Sequence, residues 1–237
     1  MNLRLDWCSH DAATYAVKHW HYSRSMPAGK IVKIGAWEDS FIGCVMFSRG
    51  SNRYIGTPYG LDQTQVCELA RVALTSHAAT VTRIVSISLK MLKRQSPDLR
   101  LIVSYADPRE GHIGAIYQAG NWIFHCLSSG DDKRNHPFKA PNGKIVHWRT
   151  MAGICRRYGK PESNESAQSL GYELLEFIPK YKYLYPLDAA MRAEIAPLAK
   201  PYPKRVLGGT GETDNAAHSH AQTGGASPTV PLLNHGS

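Results

Sequence analysis

At 237 residues, 43% of them hydrophobic and 20% charged, the chain is long enough for one large domain with a sizeable buried core. Its longest apolar runs, such as FIGCVMF, fall far short of the ~20 residues a bilayer span needs, and its N-terminus, MNLRLDWCSHD, carries charge where an export signal would be apolar; a soluble protein with no membrane partner is expected. A formal charge of +9 and a pI near 9.3 favour a polyanionic partner, most simply nucleic acid.

In chain order, LRLDWCS predicts a first strand and HDAATYAVKHWHY a helix. Ser9 is its candidate N-cap and Asp11 complements the helix dipole, while Ala12, Tyr15, Ala16 and His19 follow helical spacing along the buried stripe. MPAG stops it. KIVKIGAWE and SFIGCVMFSR predict two strands joined by a turn at Glu38-Asp39-Ser40. After the glycine-rich loop GSNRYIGTPYGLD come a strand, QVCELARVAL, and a long helix, ATVTRIVSISLKMLKRQ, closed by Pro97.

LRLIVSYAD is a nearly continuous apolar run, as in a buried parallel strand. EGHIGAIYQAG then predicts a helix, NWIFHCLSS a strand, FKAPNGKIVHWRTM a hairpin turning on Asn142-Gly143, and ELLEFIPKYKYLYPL a final strand. This order predicts an α/β sheet with antiparallel N-terminal strands and a parallel central step, as in acetyltransferase-like folds of the GNAT type. Helices flank the sheet and a basic hairpin is added to it. The predicted domain covers residues 1–200. Residues 201–237, small and polar in composition, predict a disordered tail.

Cations crowd into KMLKRQ (90–95), DDKRNHPFKAPNGK (131–144), CRRYGK (155–160) and PKYKYLY (179–185), with aromatics between them. Such interleaving suits a groove for phosphates and exposed bases; Lys144, Arg149, Arg156 and Arg157 are the candidate DNA contacts. Five cysteines without a CxxC pair predict reduced thiols rather than a zinc ribbon.

Four stretches, HWHYSRSMPAGK, CELARVAL, SYADPREGHIGAIYQAGNW and KYKYLYPL, together resemble the Mom family of Mu-like bacteriophages over roughly residues 3 to 187. The resemblance implies an enzyme of the host cytoplasm that places a carbamoylmethyl group on adenine N6 in phage DNA, against host restriction, with a short sequence context and a bound iron. One departure from a GNAT acetyltransferase is visible. The turn that would cradle a CoA pyrophosphate is TSHAAT (75–80), which lacks glycine, so standard acetyl-CoA binding is not expected and the donor stays open.

Modifying N6 requires flipping the base out of double-stranded DNA, stacking it and removing a proton from a poorly nucleophilic amine. Trp20, Tyr22, Tyr59 and Trp122 are candidate walls; for Trp122, inside an apolar strand, core packing is the competing role. His21 and Tyr22 leave the helix where side chains can face a cleft, with His21 a base or metal ligand and His19 a core histidine. Asp107 ends the buried strand, where α/β sheets place ligands, and would otherwise cap the next helix. Tyr117 would donate a proton or hydrogen bond, or else pack helix on sheet. Glu68 is the candidate base or metal ligand, although its three-residue spacing from Arg71 puts the two on opposite faces unless a bulge intervenes. An iron site would draw on His21 and Asp107 with Glu68 or His112, although no ligand signature marks it. Two rival readings are a non-catalytic DNA-binding anti-restriction protein and an acetyltransferase for a small amine.

Overall fold

A computed structural model of the chain describes residues 2–27, 29–49, 53–128 and 136–204. The expected tail beyond 204 and residues 131–135 of the basic segment lie outside the described residues. In chain order the elements are β1 (Arg4–Trp7), α1 (His10–Trp20), β2 (Ile31–Trp37), β3 (Phe41–Ser48), β4 (Val66–Leu74), α2 (Val81–Gln95), β5 (Leu101–Ala106), α3 (Ala115–Ala119) and β6 (Ile123–Leu127). There follow β7 (Phe138–Lys139), β8 (Ile145–Val146), α4 (Trp148–Arg157), α5 (Asn164–Ser169), β9 (Glu173–Leu174), β10 (Tyr181–Pro186) and α6 (Ala189–Ile195).

Seven strands form one mixed sheet in the spatial order β1-β2-β3-β4-β5-β10-β6. Neighbours are antiparallel except β4 and β5, which run parallel and pair only over Val66–Glu68 and Leu101–Val103 before parting.

Alternation along the strands divides the core between two layers. Val45, Phe47, Cys67, Leu69 and Ile102 pack under α2 through Ile84, Leu89 and Leu92. Each of those three side chains contributes roughly 1.5–3 kcal/mol by leaving water. The intervening Cys44, Met46 and Ala73 meet Ala13, Ala16 and Val17 of α1, while Val66, Leu101, Val103 and Leu184 meet Met191 and Ile195 of α6. Helices α1 and α6 therefore share one face and α2 and α3 the other. Trp122 is 1% exposed, in the layer with Tyr117 and Tyr183.

Between β6 and β10 the chain builds a small insert, with the sheet β8-β7-β9 and its own core of Phe138, Val146, Met151, Cys155 and Ala167. The expected hairpin is β7 and β8, with Gly143 at φ +81 in its turn. Its second half ends early, because Trp148, Met151, Ala152 and Cys155 recur at helical spacing and begin α4 instead of prolonging a strand.

Other expectations shift too. The helix expected over EGHIGAIYQAG shrinks to α3, because Gly111 and Gly114 take φ values of +70 and +85. Gly114 also lies against Tyr183, whose ring would be 2.3 Å from an added Cβ. The expected final strand splits into β9, which joins the insert, and β10. His19 and Tyr15 lie on the exposed side of α1, stacked on one another, since the buried stripe is Ala13, Ala16 and Val17. The described residues run on to 204, where the Tyr202 hydroxyl donates to the Trp122 carbonyl at 2.7 Å and Gln118 donates to the Pro203 carbonyl. Among the described residues no helix is long and apolar enough to cross a membrane.

Candidate active site

The partner register of β3 and β4 slips at one point: Met46 faces Arg71 and Phe47 faces Leu69, leaving Ala70 as an extra residue in β4. That bulge restores to one face two side chains that a regular strand would separate. Glu68 and Arg71 therefore both face the α1 side, beside the place where β4 and β5 part.

Arg71 holds the segment after α1. Its Nε donates to the Ser25 carbonyl (3.3 Å) and its Nη1 to the Ala70 carbonyl (2.7 Å), tying that loop to the bulge. His21 ends the helix with its N–H on the Val17 carbonyl. Its Nδ1 accepts from the Ser23 N–H (3.1 Å) and lies 2.9 Å from the Ser23 hydroxyl. A backbone N–H can only donate, so the ring proton of the neutral form sits on Nε2. Burial, reinforced by the charges of Arg71 and His112, depresses His21 to about 3, so the imidazole is neutral at working pH.

Tyr22 lies beside His21 and His112 in tilted ring contacts, with centroids at 4.3 and 5.5 Å, and is 47% exposed. Burial of its hydroxyl raises Tyr22 to about 12, opposed by Arg71 and assisted by Asp107, Glu110 and Glu68, so this phenol stays protonated. Of the four candidate walls, Tyr22 alone offers such a face: Trp122 and Tyr59 are buried, and Trp20 packs on Tyr15 and Phe41.

Glu68 is raised above the ordinary carboxylate range by burial, with Arg71 and then Lys180 pulling it back. Asp107 is differently placed. Its Oδ1 accepts the Arg109 N–H at 3.0 Å, capping the short turn Pro108–Glu110, and its Oδ2 pairs with Lys180 Nζ at 2.7 Å. Tyr117 lies beneath the cleft floor, with its hydroxyl 2.7 Å from Ser104 Oγ, which is in turn 2.8 Å from the Leu69 carbonyl. The carbonyl only accepts, so with both bonds made Ser104 donates to it and Tyr117 donates to Ser104. This chain of bonds bridges β4 and β5 just where they separate.

Thus His21, Glu68 and Asp107 gather around Tyr22, with Tyr117 bonded to Ser104 beneath them. Sequence reasoning weighed Arg71 and His112 but gave them no place in the site beyond a possible ligand role for His112, and it missed Lys180 and Ser104. The cluster PKYKYLY signalled Lys180 only as a generic cation. Of the two expected iron ligands, His21 accepts the Ser23 N–H on Nδ1, and Asp107 accepts the Arg109 N–H on Oδ1 and pairs with Lys180 through Oδ2. Among the described residues no three His, Cys, Asp or Glu side chains converge to hold a metal.

A carboxylate from the chain already fills the turn that would receive a pyrophosphate. Glu38, in the β2–β3 turn, accepts from the N–H groups of Ala78 (3.0 Å) and Ala79 (2.8 Å) at the head of α2, and these bonds hold it below the usual carboxylate range. Lys144, Arg149, Arg156 and Arg157 all lie exposed on the insert, with Arg156 paired to Glu162 at 3.3 Å. Two surface hollows, one beside Arg100 and Asp188 and one between α2 and α3 beside Trp122, lie away from the cleft.

Among curated proteins, none matches the chain. A model of the Mom protein family matches residues 2–204, spanning the sheet, the cleft and the insert. The chain therefore belongs to the Mom protein family, a membership that points to a phage DNA-modification protein.

Proposed function

We propose that the chain is a transferase that converts adenine in double-stranded DNA to N6-carbamoylmethyladenine and so shields phage DNA from host restriction in the host cytoplasm. The observation that carries this reading is the meeting of Glu68, Arg71 and Tyr22 at the parting of β4 and β5. Tyr22 supplies an exposed aromatic face for a flipped base, worth about 1–3 kcal/mol per stacked base. Glu68, destabilised as an anion by burial, takes the proton that N6 loses as a donor's CH2 carbon exchanges its bond to the leaving group, which departs with the bonding electron pair, for a bond to N6. Arg71 and Lys180 keep that carboxylate ionisable and hold the cleft's edges. The cations of the insert hold the backbone phosphates on either side of the target.

The sheet order with its single parallel step supports a GNAT-like architecture, put here to a different use. An acyl-CoA donor fits poorly, because Glu38 occupies the amides at the head of α2 and Ser104 occupies the Leu69 carbonyl at the strand gap. A protein that only occupied DNA would gain nothing from a buried carboxylate beside two cations.

The test is mass spectrometry of deoxynucleosides from plasmid DNA after expression of the chain. Deoxyadenosine carrying an added carbamoylmethyl mass is expected. Unmodified nucleosides from DNA that nonetheless resists restriction would overturn the enzymatic reading in favour of protection by occupancy.

A further inference from the structure

The face that carries Glu68 continues across the sheet into a second group of polar side chains. Lys182 of β10 stands directly opposite Tyr105 of β5 on one side and Cys126 of β6 on the other. Cross-strand partners share a face, and Tyr105 is within electrostatic reach of Glu68, so this row adjoins the cleft. Tyr59 roofs it, with its ring 5.0 Å from Lys182 Nζ. A register slip in β6 makes His125 the extra residue there and brings its ring to 5.8 Å from that of Tyr59.

Three observations point to a ligand. The Tyr59 hydroxyl and His125 Nδ1 are both sealed from solvent with no hydrogen-bond partner among the described residues. Buried polar atoms left so are rare and each costs about 1–3 kcal/mol. Lys182 is half-buried, and no carboxylate pairs with it among the described residues; Tyr59, His125, Cys126 and Tyr105 are what face it.

The polarity of these atoms selects the ligand. His125 donates to the Leu198 carbonyl, which leaves Nδ1 of the neutral ring as an acceptor. Lys182 and Tyr59 are donors. Two donors beside one acceptor match a planar group that carries both a carbonyl oxygen and an N–H. A primary carboxamide does so; a carboxylate would set an oxygen lone pair against Nδ1.

We infer that Lys182, Tyr59 and His125 form a carboxamide subsite contiguous with Glu68, which holds the carbamoyl end of the group to be transferred. The carbonyl accepts from Lys182 and Tyr59, and the NH2 donates to His125 Nδ1. This assignment rests on the reading of the cleft as an N6-modifying site, and it places donor and adenine on the same side of the sheet.

The full chain, labelled with 15N-histidine, is titrated with acetamide and separately with acetate. Acetamide is expected to shift the His125 Nδ1 resonance saturably, with Tyr59→Phe weakening the response at least fivefold and Lys182→Met abolishing it. Acetate is expected to act at least tenfold more weakly. Equal responses to both compounds, or none to either, would overturn the subsite. In the same variants DNA affinity should stay within twofold while carbamoylmethyl-deoxyadenosine falls at least tenfold. A folded Lys182→Met that modifies DNA normally would equally overturn it. If acetamide binds as expected but the parent chain modifies no adenine, the fault lies with the adenine reading and not with the subsite.

Discussion

Glu38 accepts the Ala79 N–H at 2.8 Å, so an acidic side chain from one β-turn occupies the amides of the turn that leads into α2. That position would otherwise attract a phosphate. The parent chain should therefore show no saturable heat with coenzyme A in calorimetry. Glu38→Ala should lower the melting temperature and create phosphate affinity at the freed amides; a parent chain that binds coenzyme A with micromolar affinity would contradict this.

Glu68 gives a direct test of the chemistry. Modification should fall by about 10²–10⁴-fold in Glu68→Gln through loss of the base. DNA affinity, measured by anisotropy, should be retained in Glu68→Gln. A Gln variant as active as the parent would remove Glu68 from the chemistry.

Acid stability should carry the imprint of His21. Its imidazole is depressed to about 3, whereas in an unfolded chain it titrates near ~6.5. Between those values the unfolded state binds a proton that the folded state refuses, so stability rises with pH and declines as pH falls below about 6.5. Glu68, whose value is raised, contributes the opposite slope: the folded state holds the extra proton, and stability is lost as pH rises from the ordinary carboxylate range through the raised value. His21→Gln should flatten the acid-side slope in urea titrations between pH 4 and 6.5. An unchanged slope would mean that the ring titrates freely.

Ser104→Ala leaves the Tyr117 hydroxyl and the Leu69 carbonyl without their shared partner inside the core. A loss of about 1–3 kcal/mol is expected in chemical denaturation. Modification should fall as well, since the gap between β4 and β5 loses its brace.

For DNA, Lys144→Ala and Arg157→Ala should each reduce the slope of log affinity against log salt by roughly 0.9. Arg156→Ala should reduce it less, because Glu162 already shares that charge. Equal binding by the parent and the combined variant at every salt concentration would move the phosphate surface off the insert.

Much of this molecule is legible from residue type and spacing. Ser9 does cap α1, accepting the Ala12 N–H at 3.1 Å, and Asn142-Gly143 does turn a hairpin. The buried run ending at Asp107 is the parallel strand it resembled. The misses have local causes. A bulge depends on the partner strand, so the shared face of Glu68 and Arg71 could be raised as a possibility but not read from β4 alone. Helix α4 was hidden because its apolar positions follow directly on the hairpin's. Tyr15 and His19 share the spacing of the small residues that alone fit against β3, so periodicity could not choose between the stripes. The Asp107–Lys180 pair joins residues far apart in sequence, and no local pattern announces it.

Among the described residues β10 is the last long strand; it lies between β5 and β6, and β6 has no other neighbour in the large sheet. During synthesis β6 must therefore wait, unpaired, while the whole insert emerges from the ribosome, and Lys180 and Lys182 arrive only with the strand that completes the sheet. A polypeptide cut short before residue 180 lacks both β10 and the two lysines. Whatever Lys180 and Lys182 do beside Glu68 and Tyr105 can therefore begin only after the insert has been made and β10 has slotted between its two neighbours.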